Sequence, residues 1–233
     1  MKAALFDVGD TLVGAWSPPE AMRALARERL AAAFGGRDWH EALLGARIEP
    51  LDQDEPQRQE TLRWIEDWFR AQRIPTDGLD LDRIRAALTL PLDAVARLTE
   101  GAAEALRWCK SRRLAVIVVT NTLWRGDDEV RADWARFGLA DCVDGVVSSH
   151  DVGWRKPHRA MFERALELGR APPAEAFMVG DRLRADVWGA QQLGLRTIWR
   201  RPAGGPPQSA VEVVPDATVD SLLELPAAVA RWL

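Results

Sequence analysis

The sequence predicts an α/β protein: a doubly wound parallel sheet with an inserted all-helical segment. From Gly101 onward, predicted helices alternate regularly with short apolar strands, the pattern of a parallel sheet with helices on both faces. By contrast, residues 14–96 contain no convincing strand, although a first apolar strand precedes them. We therefore predict a core formed by residues 1–13 and 97–233 and a helical insertion formed by residues 14–96.

Local signals define the individual elements. A short apolar strand ends at Asp7 and runs into a turn that contains Gly9. In the insertion, Ser17-Pro18-Pro19-Glu20 has the pattern of a capping box with proline at the first helical position, and Gly35-Gly36 ends that helix. Three further helices of the insertion are predicted at about 39–44, 57–72 and 80–88. The core is predicted to contain helices 101–111, 127–137, 157–169, 186–193 and 222–232, strands 114–119, 143–147, 177–179 and 196–199, and a loop at 202–207.

Composition places the chain among ordinary globular proteins. Its 233 residues are 47% hydrophobic and 28% charged, which excludes a largely disordered chain and allows one or two domains. A net charge of −4 gives no electrostatic reason to expect nucleic acid or an acidic membrane as a partner. The longest apolar run, residues 114–119, is too short to span a bilayer. Cys109 and Cys142 show no disulfide or zinc spacing and no secretory signal is evident, so the expected compartment is the cytoplasm.

Polar side chains of a catalytic type follow the predicted core strands. Because the carboxyl ends of parallel strands converge on one crevice, residues far apart in the chain are expected to meet there. Lysine is rare in this chain, with three among 31 basic residues, which draws attention to a lysine before Pro157. The residues expected at this crevice are Asp7, Thr120, Asn121, Lys156, Asp181 and Asp186.

The chain resembles the haloacid dehalogenase-like hydrolase superfamily, which has a Rossmann-like core and consists mostly of Mg²⁺-dependent phosphatases. Four motifs carry the resemblance, in order along the chain and at strand ends. The helical insertion resembles the cap that this family inserts after its first strand. The motifs are Phe6-Asp7-Val8-Gly9-Asp10-Thr11-Leu12, Val118-Val119-Thr120-Asn121, Arg155-Lys156-Pro157-His158-Arg159-Ala160-Met161-Phe162 and Val179-Gly180-Asp181-Arg182-Leu183-Arg184-Ala185-Asp186.

The resemblance implies a role for each matching residue. Asp7 would be the nucleophile that forms an aspartyl-phosphate, with Thr120 and Lys156 as catalytic partners. Thr120, Asn121 and Lys156 would bind a small phosphorylated substrate. Asp7, the carbonyl of Gly9, Asp181 and Asp186 would hold Mg²⁺, with Asp186 either carrying a metal-bound water or orienting Lys156.

Each of these residues also has a structural interpretation. Taken alone, Asp7 suits a turn or cap, Asp181 a helix N-cap, and Asp186 a first-turn acid. Four arginines flank the motifs; solvated surface positions are favoured for them over binding of an anionic substrate: Arg125, Arg155, Arg182 and Arg184. Surface or capping roles are favoured for His40, His150 and His158. Core packing is favoured over a substrate pocket for Trp16, Trp39, Trp64 and Trp68.

Gly9 departs from the family pattern and limits the functional hypothesis. In typical phosphatases of this family, that position carries the aspartate that protonates the leaving group and later activates water. Three outcomes fit: a substrate with a good leaving group, compensation by Asp10, or an impaired family member that serves as a binding protein. A metal-independent dehalogenase also lacks that acid, but the pair of Asp181 and Asp186 favours a cation. We predict a Mg²⁺-dependent phosphatase.

Overall fold

A computed structural model describes residues 1–46, 55–202 and 213–233, and most of the predicted loop at 202–207 lies outside them. The strands are β1 (Ala3–Phe6), β2 (Val13–Gly14), β3 (Arg97–Leu98), β4 (Ala115–Thr120), β5 (Gly145–Ser148), β6 (Ala176–Gly180), β7 (Arg196–Arg200) and β8 (Ala217–Val219). Six of them form a parallel sheet in the order β5-β4-β1-β6-β7-β8. The predicted fold class is confirmed.

Helices cover both faces of this sheet. They are α1 (Pro19–Phe34), α2 (Trp39–Gly45), α3 (Thr61–Ala71), α4 (Leu81–Leu88), α5 (Leu92–Val95), α6 (Ala102–Ser111), α7 (Asp127–Arg136), α8 (Ser149–Val152), α9 (Arg159–Gly169), α10 (Gly189–Gln191) and α11 (Leu225–Val229). Successive side chains of β1 point to opposite faces. Ala4 and Phe6 pack with α6, α7 and α11, whereas Ala3 and Leu5 pack with α9 and α10.

Helices α1 to α5 form the inserted segment between β2 and β3. These two short strands pair antiparallel, so the chain leaves the core and returns to it side by side. The insert has its own apolar cluster, which includes Leu30, Ile65, Phe69 and Ile84. In the described part of 14–96, strand pairing outside this ribbon is limited to one bridge between Arg58 and Trp154. The domain limits at 13/14 and 96/97 stay a prediction.

Several local predictions are wrong. Ser17 does not cap α1, because Pro18 precedes the helix and no side chain caps it. Asp181 does not cap the helix predicted at 186–193, because that segment begins as a π-helical turn, Leu183–Trp188, directly after Arg182. The short strands β2, β3 and β8 were not predicted, since two or three residues carry no periodic signal. The predicted helix 222–232 is a short α-helix flanked by 3₁₀ turns. Among the described residues, no helix is both long and apolar enough to cross a membrane.

Candidate active site

The carboxyl ends of three neighbouring strands meet at one point of the sheet. β1 lies between β4 and β6 and runs parallel to both. The backbone N–H of Asp7 continues this pairing by donating to Val179 O at 2.9 Å. Asp7 therefore leaves β1 beside Thr120, the last residue of β4, and beside Asp181, which follows β6.

Lys156 is buried at this edge, with 1% of its side chain exposed. Its Nζ lies 2.6 Å from Asp7 Oδ1 and 2.7 Å from Asp186 Oδ1, and it donates to Val119 O at 2.7 Å. Burial by itself lowers the pKa of Lys156, but the charges of Asp186 and Asp7 outweigh burial and raise the pKa above its ordinary value. Lys156 is therefore a cation that touches the predicted nucleophile.

Asn121 positions the backbone of Lys156. The N–H of Lys156 donates to Asn121 Oδ1 at 2.7 Å, and Asn121 Nδ2 donates to Lys156 O at 2.9 Å. This reciprocal pair fixes the lysine-bearing loop to the end of β4. The sequence did not indicate this contact, and direct substrate binding by Asn121 stays a prediction.

Three aspartates form a cluster suited to a cation. Each of Asp7, Asp181 and Asp186 offers an oxygen within 4.8 Å of the others. Burial, and then the charges of Asp7 and Asp186, raise the pKa of Asp181 to about 8. Asp181 Oδ1 is buried and accepts no hydrogen bond from the part of the chain that the structure describes. A buried, unpartnered carboxylate oxygen among like charges fits Mg²⁺, which prefers oxygen ligands.

Asp186 faces Lys156, and Gly180 makes room for it. Besides its contact with Lys156, Asp186 accepts a hydrogen bond from the N–H of Arg182 at Oδ2, at 3.1 Å. A Cβ placed on Gly180 would lie 2.3 Å from that same Oδ2. Glycine at the end of β6 thus permits the close approach of this carboxylate. Of the two roles predicted for Asp186, its contacts fit the orientation of Lys156.

The turn after Asp7 ties Asp10 to Trp16. Asp10 has a positive φ of 53°, and its Oδ1 accepts a hydrogen bond from Trp16 Nε1 at 2.9 Å. Its backbone oxygen accepts a second bond, from Arg200 at 2.8 Å. A Cβ on Gly9 would meet Trp16 Cζ2 at 3.8 Å, an ordinary van der Waals distance. Asp10 therefore stabilises the turn, and a side chain at position 9 can be accommodated.

A cavity of about 120 Å³ opens over these groups. Most of the predicted site residues line it. Thr120 and Asp181 are buried directly beside lining residues but do not line it themselves. Within the described part of the chain, no hydrogen bond of the Thr120 hydroxyl indicates its role. The lining residues are Asp7, Gly9, Asp10, Asn121, Lys156, Arg182, Ala185 and Asp186.

The arginines that flank the motifs have four different environments. The prediction of a solvated surface is wrong for Arg155, which is buried and donates to Gln59 Oε1 at 2.9 Å. It is also wrong for Arg125, which pairs with the fully buried Asp133. Arg184 stacks on the Trp188 ring, 3.4 Å from its centroid. Arg182 lines the cavity, which its position in the sequence did not indicate.

Histidines and tryptophans largely follow the structural interpretations. His158 caps α9 by accepting the N–H of Ala160 at 3.2 Å. His40, predicted at the surface or as a cap, is instead buried against the Trp39 ring. Trp39 and Trp68 pack on the apolar cluster of the insert, as predicted. The prediction of core packing is wrong for Trp16, which is 42% exposed and lies over Gly9.

The fold and this cavity define a class of α/β protein that presents clustered carboxylates and a buried lysine at the strand ends of a parallel sheet. The sequence model of the haloacid dehalogenase-like hydrolase family matches residues 1–194. The chain therefore belongs to the haloacid dehalogenase-like hydrolase family, and the resemblance found in its motifs is confirmed.

Individual relatives match over shorter stretches. The chain is 42% identical over 64 residues to a glyceraldehyde 3-phosphate phosphatase of Pyrococcus furiosus. The aligned stretch covers 28% of this chain and 27% of that protein. It is 38% identical over 96 residues to a ribulose-1,5-bisphosphate 5-phosphatase of Halopiger xanaduensis. This aligned stretch covers 39% of this chain and 40% of that protein. The chain thus spans well under two thirds of the length of either relative.

Solved structures match over nearly the whole chain and show the same fold. A phosphatase of this family from Thermococcus onnurineus superposes with a TM-score of 0.63 at 23% identity, over 97% of both chains. The hydrolase YfnB of Bacillus subtilis, bound to magnesium, superposes with a TM-score of 0.57 at 21% identity, over 97% of both chains.

The raised pKa of Asp181 makes the stability of the metal-free protein depend on pH. Between its ordinary value of 3.8 and about 8, the folded state retains a proton that the unfolded state releases. The free energy of unfolding therefore falls as the pH rises through this window. A cation removes this cost because it pairs with the ionised carboxylate. We expect Mg²⁺ to raise the free energy of unfolding more at pH 8 than at pH 6, measured by urea denaturation with Mg²⁺ or with EDTA.

Asp181→Asn is the matched control for this pH dependence. Because asparagine does not titrate, the variant is expected to lose the difference between the Mg²⁺ effects at the two pH values. An equal effect of Mg²⁺ at both pH values in the wild type would contradict binding at this cluster.

Proposed function

We propose that this chain is a Mg²⁺-dependent phosphatase that acts on a small phosphorylated metabolite through an aspartyl-phosphate on Asp7. The observation that carries the proposal is the buried contact of Lys156 Nζ with Asp7 Oδ1 at 2.6 Å, beside an Asp181 oxygen that lacks a partner in the described residues. A nucleophile, its counter-charge and a cation site would thus lie together at one edge of the sheet. The free Cys109 and Cys142 support the cytoplasm as its compartment.

In the proposed reaction, a carboxylate oxygen of Asp7 attacks phosphorus while the bond from phosphorus to the leaving-group oxygen breaks. Water then cleaves the aspartyl-phosphate and regenerates Asp7. Lys156 remains charged next to Asp7 and keeps this carboxylate oriented. Asp7, Asp181 and the carbonyl of Gly9 would hold Mg²⁺, which when bound offsets the negative charge of the phosphoryl oxygens. Thr120 would donate its hydroxyl to one of those oxygens.

Gly9 gives the proposed enzyme a preference for good leaving groups. Glycine has no acid with which to protonate a leaving group and no base with which to activate water. General acid–base catalysis of this kind contributes about 10²- to 10⁴-fold in rate. Acyl phosphates, aryl phosphates and anhydrides depend least on it. Asp10 Oδ1 already accepts a hydrogen bond from Trp16 Nε1, which argues against Asp10 as a replacement for the acid and base missing at Gly9.

The proposal is tested by hydrolysis of acetyl phosphate, p-nitrophenyl phosphate and glyceraldehyde 3-phosphate by the full chain, with Mg²⁺ and with EDTA. We expect Mg²⁺-dependent turnover that is fastest for the first two compounds. If the chain binds Mg²⁺ but hydrolyses none of the three, the enzyme proposal fails. The second candidate is a catalytically impaired binding protein, because Gly9 removes the usual acid and base. Binding of Mg²⁺ without hydrolysis of any of the three compounds would favour this candidate.

Gly9→Asp is expected to accelerate hydrolysis of glyceraldehyde 3-phosphate by at least about tenfold more than that of p-nitrophenyl phosphate. The reason is that an alkyl leaving group needs the proton that an aspartate would donate, whereas an aryl leaving group does not. The kcat/KM values of both substrates measure the effect. Gly9→Ala is the matched control, because it adds the Cβ without the acid. Equal acceleration of both substrates would show that protonation of the leaving group is not what position 9 limits.

A further inference from the structure

The buried lysine of the cavity is already surrounded by three oxygen atoms of the protein. An ammonium group has three N–H donors. Lys156 Nζ donates to Asp7 Oδ1 at 2.6 Å and to Val119 O at 2.7 Å, and the Asp186 carboxylate lies 2.7 Å away as an ion-pair partner. A phosphoryl oxygen would compete with these three oxygens for Lys156, so a second cationic group favours direct binding of the substrate anion.

Arg182 is the other cationic residue among those that line the cavity. Within residues 1–46, 55–202 and 213–233, its guanidinium makes neither a hydrogen bond nor an ion pair. The other three motif arginines differ in this respect. Arg125 pairs with Asp133, Arg155 bonds to Gln59, and Arg184 stacks on an indole ring. Arg182 therefore has donors available at the place where the substrate would lie.

The backbone of Arg182 is fixed to the catalytic groups. Its N–H donates to Asp186 Oδ2 at 3.1 Å, and its carbonyl oxygen accepts the N–H of Asp186 at 3.0 Å. Asp186 in turn contacts Lys156 at 2.7 Å. The base of the arginine side chain is thus held in a defined place relative to Asp7, while the guanidinium can adjust to a ligand.

We propose that Arg182 binds an anionic group of the substrate in the cavity over Asp7. This inference rests on the proposed phosphatase function and adds a specificity-determining residue to it. A guanidinium presents parallel N–H donors that match two oxygens of a phosphate or a carboxylate. The anion is either the transferred phosphoryl group or a second acidic group on the same substrate, such as the other phosphate of a sugar bisphosphate.

Arg182→Gln tests the proposal, with Arg184→Gln as the matched control two residues away. Binding of inorganic phosphate is measured by calorimetry at saturating Mg²⁺. KM and kcat are measured for p-nitrophenyl phosphate and for ribulose 1,5-bisphosphate. Loss of a charge-assisted hydrogen bond is expected to weaken binding by about tenfold or more, with a smaller effect on kcat. Arg184→Gln should leave these values near those of the wild type, and thermal unfolding checks that both variants remain folded.

The pattern of losses identifies the anion that Arg182 binds. Weaker binding of inorganic phosphate and a higher KM for both substrates would assign Arg182 to the transferred phosphoryl group. A higher KM for the bisphosphate alone would assign it to the second acidic group. Unchanged phosphate affinity and unchanged KM values in folded Arg182→Gln overturn the proposal, as does a wild-type protein that binds neither phosphate nor the bisphosphate.

Failure of this inference is distinguishable from failure of the phosphatase proposal. If the wild type hydrolyses phosphate esters and Arg182→Gln has the same KM values and phosphate affinity, only the proposed role of Arg182 is wrong. If the wild type turns over no substrate but binds phosphate in an Arg182-dependent way, the anion site is supported and the phosphatase proposal is wrong. Arg182→Lys, which keeps the charge and loses the planar donor pair, is expected to restore part of the affinity.

Discussion

Asp7→Asn is expected to lower kcat/KM for acetyl phosphate and p-nitrophenyl phosphate by at least about 10³-fold, because the amide removes the nucleophile. The fold should survive, since the amide side chain keeps an oxygen within reach of Lys156 Nζ, which lies 2.6 Å from Asp7 Oδ1 in the wild type. Asp128→Asn is the matched control, because Asp128 is an aspartate in the first turn of α7 that lies outside the cavity. Initial rates at saturating Mg²⁺ measure the effect.

The same variant tests the covalent step directly. In the wild type, Gly9 supplies no base to activate the water that cleaves the aspartyl-phosphate, so this intermediate should accumulate and give a burst of p-nitrophenol. Acid quenching should trap a phosphoprotein that hydroxylamine cleaves, and Asp7→Asn should form none. Undiminished turnover in Asp7→Asn would rule out the covalent mechanism.

Gly180→Ala is expected to lower kcat by about 10²-fold or more, although no functional group is removed. The new methyl group would lie 2.3 Å from Asp186 Oδ2 and would displace this carboxylate from its position at the end of β6. Lys156, which Asp186 contacts at 2.7 Å, would then lose one of its two anionic partners. Displacements of about 1 Å at a catalytic group can cost this much in rate. The clash is also expected to lower the free energy of unfolding by about 1–3 kcal/mol.

Gly145→Ala separates these two effects. At Gly145 in β5, a new Cβ would meet the flexible ends of Ile117 and Leu168, at 2.9 and 3.3 Å, rather than a catalytic group. We expect this variant to lose stability and to keep its kcat. Urea denaturation and steady-state rates, measured on both variants, give the comparison. If Gly180→Ala retains the kcat of the wild type, the position of Asp186 does not control the reaction.

The predicted elements and the observed elements agree best where the sequence signal is local and periodic. The apolar run before Thr120 became the buried strand β4, and the helical periodicity after Pro18 became α1. Elements of two or three residues escaped prediction because they are specified by their neighbours in space rather than by their own sequence. The ribbon of β2 and β3 pairs Val13 with Leu98, which no local pattern connects.

Among the site residues, the sequence alone determined which chemical groups occupy the strand ends. Asp7, Thr120, Lys156, Asp181 and Asp186 follow from motif order and from the rule that parallel strands converge at their carboxyl ends. The absence of an acid at Gly9, and the preference for good leaving groups that we infer from it, are also properties of the sequence.

Only the tertiary structure decided how those groups divide their contacts. It paired Asn121 with the backbone of Lys156, surrounded Lys156 Nζ with three oxygens and placed Arg182 among the residues that line the cavity. Hydrogen bonds have direction and a limited number of donors, and burial depends on the packing of segments far apart in the chain. Residue type and spacing in the sequence specify neither the direction of hydrogen bonds nor the burial of a side chain. For this reason the four motif arginines looked equivalent in the sequence and differ in the fold.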